Sequence, residues 1–539
     1  MTQESITRNF LDTPSFWRDY PERDIEFVRW YPCDVKPLSA EQIYATREKF
    51  PKTTSFYVHI PFCNQVCTSC PYNKFSTRNT LVQRYIQALK NEIDLYSQLP
   101  HVRDTVFTSG YFGGGTPTTL RAEELDDLLG FMKQRLNFSP DCSITIESTP
   151  IDVDQQKLDV LLKHGVNRMS LGVQTFHDPL LRYLGRARAH TGESATKTIE
   201  LIDRSGLENL CIDYMIGIPG QTADLWAQDI RTLMDLPVTS FSVYNYAVMP
   251  GSEVFFALQS GATPPCPSTR EADEMYQYLH TTLMDAGYLA LTYNDFIEPM
   301  KPEWEAAGVK TYPVLKDGSK PYRGLETDTF YLTDHLSQIW GRCGDMVAIG
   351  SGAYGYLNNH MYLNEPDIES YISRCNEGRL PVVMGAYTDE HEQRCRSLVL
   401  GLKLLRVKRS VYRERHGVDP YEYFKDKVDD LVAKGLLEVD DEAIQVTYPK
   451  GWYYIDNISK SFYSDANYRL PQPTSASTEI LKWQIDRTDG RKDSPLSSSE
   501  TTRRARRGRI FDLAERTPQG TRSTTPRSAA RTTGACAPP

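Results

Sequence analysis

The chain is predicted to be an α/β protein: a parallel sheet of six strands with helices on its outer face, followed by a small helical module with a β wing. Two observations predict this. Between residues 55 and 249, short β-rich runs alternate with amphipathic helical stretches, and strands joined by crossover helices form parallel sheets. Each segment that carries a chemical motif also falls at the end of a β run, where the loops of such a sheet converge.

The strands are read at 55–60, 105–112, 143–147, 168–173, 210–216 and 240–245, with helices at 81–99, 122–136, 153–164 and 191–205 between them. Such a sheet closes fully or stays a partial barrel. Residues 1–50 read as a leader rich in aromatics (Phe16, Trp17, Trp30, Tyr31) that ends in a helical pattern at 40–50. Residues 51–255 are taken as the core barrel and 256–387 as a less regular region on its substrate side. Residues 388–465 are taken as a winged-helix-like unit, with helices at 390–405 and 421–434 and β runs at 435–439 and 443–447. The helix at 421–434 is mixed in charge, so the unit reads as a lid or packing domain and not a DNA reader. The segment 475–539 has lost all periodicity and carries 13 basic against 7 acidic residues. It reads as a disordered basic tail.

A chain of 539 residues has room for two to four domains. No apolar run is long enough to span a bilayer and no signal peptide is visible, so no membrane partner and a cytoplasmic location are expected. The 11 cysteines are scattered apart from one cluster, which argues for a reducing compartment and against a disulfide framework. With 61 basic and 70 acidic residues, nothing in the charge calls for nucleic acid as a partner.

The chemistry concentrates first in Tyr57-Val-His-Ile-Pro-Phe-Cys63-Asn-Gln-Val-Cys67-Thr-Ser-Cys70. Three thiolates leave one iron of a four-iron cluster open to a further ligand; a three-cysteine zinc site with a remote fourth ligand is the alternative. After the second strand comes Gly113-Gly-Gly-Thr116-Pro-Thr. Its glycines let backbone approach a ligand closely, or they form a tight turn. Glu147 ends the third strand, as a ligand carboxylate or a solvated loop residue. Gln174 ends the fourth and Arg186 follows it, two polar residues able to reach the same crevice. Asp213 stands among apolar neighbours on the fifth strand and so requires a partner. The sixth strand ends Val243-Tyr-Asn-Tyr-Ala247, which also suits plain core, and a second Gly-rich turn lies at 348–357.

Taken together, these motifs resemble the radical S-adenosylmethionine (SAM) superfamily. Within it they resemble the oxygen-independent coproporphyrinogen III dehydrogenase-like branch, which includes the dehydrogenase, haem chaperones and class C radical SAM methylases. The resemblance runs from about Ser55 to about Tyr463. It implies a partial (β/α)6 radical SAM barrel, and a [4Fe-4S] cluster held by Cys63, Cys67 and Cys70 whose open iron chelates SAM. It also implies that Tyr57, Gly114 and Glu147 contact the cleaved SAM. Gly115, Thr116, Gln174, Arg186, Asp213 and Ala247 would line two adjacent SAM sites.

One departure bears on the reaction. The dehydrogenase has a further cysteine two positions beyond the third ligand, where this chain has Tyr72. That points to a class C methylase or cyclopropanase as the main expectation, moving a SAM-derived methylene or methyl to an sp2 carbon of a small-molecule natural product, as in antibiotic biosynthesis. Coproporphyrinogen decarboxylation and a non-catalytic haem chaperone are the alternatives. A flavodoxin- or ferredoxin-type electron donor is implied. Tyr244–Tyr246, Tyr293, Asp295 and His335 are candidate bases, and none is assigned.

Overall fold

The computed structural model describes residues 30–45, 52–65, 67, 70, 74–77, 80–246, 248, 253–314 and 322–467. The expectations for Phe16, Trp17, Tyr72, Ala247 and the 475–539 tail lie outside the described residues. Six parallel strands form near the positions read: β1 (Thr53–Ile60), β2 (Val106–Gly114), β3 (Phe138–Ser148), β4 (Arg168–Gln174), β5 (Asn209–Ile216) and β6 (Ser240–Asn245). They pair in chain order, each parallel to the next. A parallel pair needs a crossover, and each is a helix: α1 (Leu81–Gln98), α2 (Ala122–Arg135), α3 (Gln155–Lys163), α4 (Gly192–Ser205) and α5 (Ala223–Met234).

Side-chain periodicity sorts the two faces of this sheet. On β1, Phe56, Val58 and Ile60 are buried in the main core, while Tyr57 and His59 lie on the opposite face. α1 buries Ile86, Leu89, Ile93 and Tyr96, spaced three and four apart as one helix face requires. Each such side chain contributes about 1.5–3 kcal/mol. The ends are set locally: Thr191 accepts from the Ser194 amide to start α4, and Gly206 (φ +82°) ends it.

The sheet does not stop at six strands. A seventh parallel strand, β7 (Met346–Ile349), pairs with β1. Beyond it run Tyr354–Leu357, His360–Asn364, Val382–Tyr387 and Lys36–Pro37, all antiparallel. On the other edge Asp295–Ile297 pairs antiparallel with β6, followed by Leu289–Ala290, Arg323–Leu325 and Thr311–Pro313. Residues 256–387 therefore extend both edges of one sheet. They looked irregular in sequence because their strands are two to six residues long. Among the described residues the two ends of the sheet are not paired with each other.

The second Gly-rich turn follows β7, and two of its amides are already used by the fold. Gly350 N–H donates to Glu92 Oε2 (2.8 Å) and Ser351 N–H to the Tyr85 hydroxyl (2.8 Å). Further on, Glu390–Gly401 is helical and continues as a 3-10 turn at Leu402–Leu404. A third strand, Arg406–Lys408, joins Leu437–Val439 and Ala443–Val446 in an antiparallel sheet. The helix expected at 421–434 is broken at Phe424 into Pro420–Tyr423 and Lys425–Ala433. Among the described residues no helix is long and apolar enough to cross a membrane.

Candidate functional site

The site is built where β1 and β2 end side by side. β1 runs into a short strand, Phe62–Cys63, paired with Phe75–Ser76. The Gly-rich run after β2 is stitched to this loop by backbone: Gly115 N–H donates to Ile60 O (2.9 Å) and Thr116 N–H to Phe62 O (2.8 Å). A Cβ on Gly115 would stand 2.6 Å from Phe62 O, so the approach admits only glycine. Gly114 has φ +112°, and a Cβ there would meet the His59 ring at 2.6 Å.

The cysteines converge on this junction. Cys63 is buried, and the Thr116 hydroxyl donates to its sulfur (3.7 Å). Burial pushes the Cys63 thiol up to about 12, with Cys70 and Cys67 adding to the rise and the Thr116 hydroxyl and Arg186 opposing it. Cys70 N–H donates to Cys67 O (3.4 Å). Among the described residues, no three His, Cys, Asp or Glu side chains already stand as a ligand set. The donor chemistry is nevertheless that of an iron–sulfur site: three sulfurs within one another's electrostatic reach, a hydroxyl aimed at one of them, and a cationic side chain near.

Glu147, at the end of β3, faces the same junction. It accepts from Gly114 N–H (3.1 Å) and from the Tyr111 hydroxyl (2.9 Å). Tyr111 in turn stacks on Tyr57 (ring centroids 6.2 Å apart) and on His335 (5.4 Å). Burial raises the Glu147 carboxyl to about 7, and Asp213 adds to the rise. The Tyr57 hydroxyl is hydrogen-bonded to His59 Nδ1 (2.9 Å).

Inward-facing residues of β4 carry the next group. Ser170 Oγ–H reaches both oxygens of Asp213 (2.9 and 3.0 Å), and burial raises that carboxyl to about 6 against Ser170 and Arg168. Arg186 Nη1 donates to Gly172 O (2.8 Å). A Cβ on Gly172 would stand 3.0 Å from Gln174 Nε2 and 3.4 Å from Arg186 Nη1, so both side chains lie over that glycine. Gln174 Oε1 is buried with no hydrogen-bond partner among the described residues. An unpaired buried acceptor beside glycines and carboxylates suits a polar, cationic ligand such as SAM.

The structure thus brings Tyr57, Gly114 and Glu147 together, sets Gly115 and Thr116 against Cys63, and places Gln174 at the end of β4, Arg186 over Gly172 from the loop beyond, and Asp213 within β5. Sequence reasoning missed Tyr111, Arg168 and Ser170. The signal was present: Arg168, Ser170, Gly172 and Gln174 alternate along one strand, and a polar inner face follows from that period of two. Of the candidate bases, Asp295 accepts from Ser242 (2.5 Å) and Thr292 (2.6 Å) and faces Arg168.

Comparison with known proteins agrees with this geometry. Residues 57–233 match the Radical SAM superfamily. The chain is 29% identical to the heme chaperone HemW of Bacillus subtilis over 401 residues, covering 73% of this chain and 95% of HemW. It is 28% identical to the oxygen-independent coproporphyrinogen III oxidase of Pseudomonas aeruginosa, covering 76% of this chain and 85% of the oxidase. An anaerobilin synthase of Escherichia coli O157:H7 is 25% identical over 378 residues, 69% of this chain and 78% of the synthase. The coproporphyrinogen III oxidase HemN of Escherichia coli shares the fold, with a TM-score of 0.63 and 24% identity over 82% of this chain and 95% of HemN. A domain of this kind works with a [4Fe-4S] cluster and SAM, and the residues gathered here fit both groups. Residues 57–233 match a radical SAM domain, and over well more than half of its length the chain is similar to coproporphyrinogen III oxidases and heme chaperones.

Proposed function

We propose that the protein is a radical SAM enzyme that takes a hydrogen atom from a tetrapyrrole-type substrate, as an oxidoreductase of the coproporphyrinogen oxidase kind. The observation that carries the radical SAM part is the junction of Cys63, the Gly113–Thr116 run and Glu147 at adjacent strand ends. The substrate class is supported by relatives named as coproporphyrinogen III oxidases, an anaerobilin synthase and haem chaperones. These relatives favour this reading over methyl transfer to a natural product.

In this reading Cys63, Cys67 and Cys70 hold the cluster. When bound, cluster and SAM together supply reductive cleavage to methionine and a 5′-deoxyadenosyl radical. Thr116 hydrogen-bonds one ligating sulfur and steadies its negative charge. Gly114 admits SAM to the backbone, while Glu147 accepts hydrogen bonds from its ammonium or ribose beside Tyr57. Gly115, Thr116, Gln174, Arg186 and Asp213 would line the two adjacent SAM sites. Residues 256–387 and the 388–465 unit would cover the substrate side and exclude water. An external flavodoxin or ferredoxin in a reducing cytoplasm would deliver the electron.

A second reading keeps one specific support. Tyr72 stands where the dehydrogenase has its extra cysteine, which favours a class C methylase or cyclopropanase. One experiment separates them: anaerobic reconstitution, dithionite, SAM and coproporphyrinogen III, with nucleosides and carbon dioxide measured. Deoxyadenosine with matching carbon dioxide is the expected result. S-adenosylhomocysteine formed with an unsaturated acceptor would turn the assignment to methyl transfer. Tight haem binding without deoxyadenosine would make the protein a chaperone.

A further inference from the structure

We propose that Asp229 is a positioning residue that, through Thr175, aims Gln174 into the crevice; this rests on reading Gln174 as a SAM contact. Gln174 has φ +70°, a backbone conformation that persists in a non-glycine residue only where the surroundings over-determine it. The pairing of β4 with β5 slips its register at this point, between Gly172 and Gln174. The side chain is 5% exposed, and its carbonyl oxygen has no partner among the described residues. Something other than its own contacts must therefore hold it.

The fixing comes from both sides. Ahead of Gln174, Arg186 Nη1 donates to Gly172 O (2.8 Å) and His190 Nε2–H to Val173 O (3.0 Å). Behind it, one carboxylate takes two donors: the Thr175 hydroxyl gives to Asp229 Oδ2 (2.7 Å) and Phe176 N–H to Asp229 Oδ1 (2.9 Å). Asp229 is fully buried on α5, an element with no residue at the cluster. Of the ionisable neighbours, His177 sits 3.6 Å from Asp229 Oδ1 and donates Nε2–H to Leu225 O (3.0 Å), and the buried Tyr214 also faces Asp229. A buried carboxylate with both oxygens engaged by the two residues after Gln174 leaves that turn a single arrangement. The fold thus commits a buried carboxylate to a turn that carries Gln174, whose Oε1 has no partner among the described residues.

The test uses the full chain, reconstituted anaerobically, with SAM binding read by equilibrium dialysis. The variants are Thr175→Val, Thr175→Ser, Gln174→Ala and the Thr175→Val/Gln174→Ala double. Losing a hydrogen bond to a charged group should weaken SAM about ten-fold in Thr175→Val, with Thr175→Ser within about two-fold of the parent. Because Thr175 acts through Gln174, Thr175→Val should add less than about two-fold on top of Gln174→Ala. In SAM-free protein, Phe176 amide exchange should quicken in Thr175→Val and in Asp229→Asn. An unchanged affinity in Thr175→Val, or equal losses with and without Gln174, overturns the proposal. A Gln174→Ala variant that binds SAM normally instead removes the SAM reading on which it stands.

Discussion

Glu147 offers the sharpest test of how the site meets its ligand. Burial and the nearby Asp213 raise its carboxyl to about 7 from an ordinary value near 4.5. The two hydrogen bonds from Tyr111 and Gly114 do not fully offset that. A shift of this size corresponds to about 3 kcal/mol of preference for the neutral form. The folded value lies above the unfolded one, so the free protein loses stability as pH rises from about 4.5 to 7 and is level beyond. A cationic ligand reverses the preference, since an ammonium beside the carboxylate favours its ionised form. Binding SAM below pH 7 must then expel a proton from Glu147. The dissociation constant should rise about ten-fold for each pH unit below 7 and flatten above it. Equilibrium dialysis of the reconstituted protein between pH 5.5 and 7.5 reads this directly. The slope is read below pH 7, because near the upper limit the amino group of SAM, which titrates at about 7.7–8.0, has begun to lose its proton. Glu147→Gln keeps an oxygen for the Gly114 amide and removes its own titration, so its isotherms should be weaker at pH 7.5 and less steep in pH, keeping only the slope that Asp213, raised to about 6, contributes. A parent protein with a flat profile, or a Glu147→Gln variant with the same slope, refutes the reasoning.

Three further outcomes follow from distances already given. Gly115→Ala sets a methyl 2.6 Å from Phe62 O and 2.9 Å from Pro61 C; backbone cannot swing aside, so a cost of about 1–3 kcal/mol should appear as a lower Tm together with reduced iron content. Glu92 is buried, and burial holds its carboxyl up at about 8 despite hydrogen bonds from Tyr371, Gly350 and Asn364. Its folded value exceeds its unfolded one, so stability should fall by as much as about 4 kcal/mol between pH 5 and 8, and Glu92→Gln should flatten urea midpoints across that window. Lys403 and Asp456 form a buried ion pair at 2.6 Å; Lys403→Met should cost about 3–5 kcal/mol by stranding Asp456, and Lys403→Met/Asp456→Leu should recover most of it by the same denaturation assay.

The local part of the fold was legible, and the non-local part was not. Strands β1 to β6 and helices α1 to α4 announce themselves by period and by flanking turns, so their ends fall within a few residues of those read. β7 escaped because four residues, Met346–Ile349, carry no period that separates them from a core turn. Its place beside β1 is set by pairing across nearly 300 residues of chain. The glycines at 350 and 352 read only as a second Gly-rich turn, and what that turn does is set by Glu92 on α1 and the Tyr85 hydroxyl, which take the amides of Gly350 and Ser351. Only tertiary structure reveals which amides are occupied. The motif residues were readable because they lie on the strands read or in the loops that follow them. Tyr111, Arg168 and Asp229 act from within regular elements, where a polar residue looks the same whether it faces solvent or the crevice.

The electrostatics of the interior also says where each partner can lie. Glu147, Asp213 and Asp295 are all raised by burial, and Arg168 is the cation that opposes the rise in each. Carboxylates whose ionisation is opposed by burial favour a ligand that brings positive charge. Each SAM carries a sulfonium and an ammonium, so it is stabilised there as the acids ionise. A porphyrinogen with carboxylate side chains would meet the opposite field, and each of its charges placed among these acids would add repulsion to desolvation. Such a substrate would need a cation to offset these acids, and the part-buried Arg186, beside Gln174 and within reach of Asp213, is one. On this argument Arg186→Lys, which loses the planar fork, should weaken a carboxylate-bearing substrate more than it weakens SAM. An equal loss in both, read as paired dissociation constants, would place Arg186 with SAM alone.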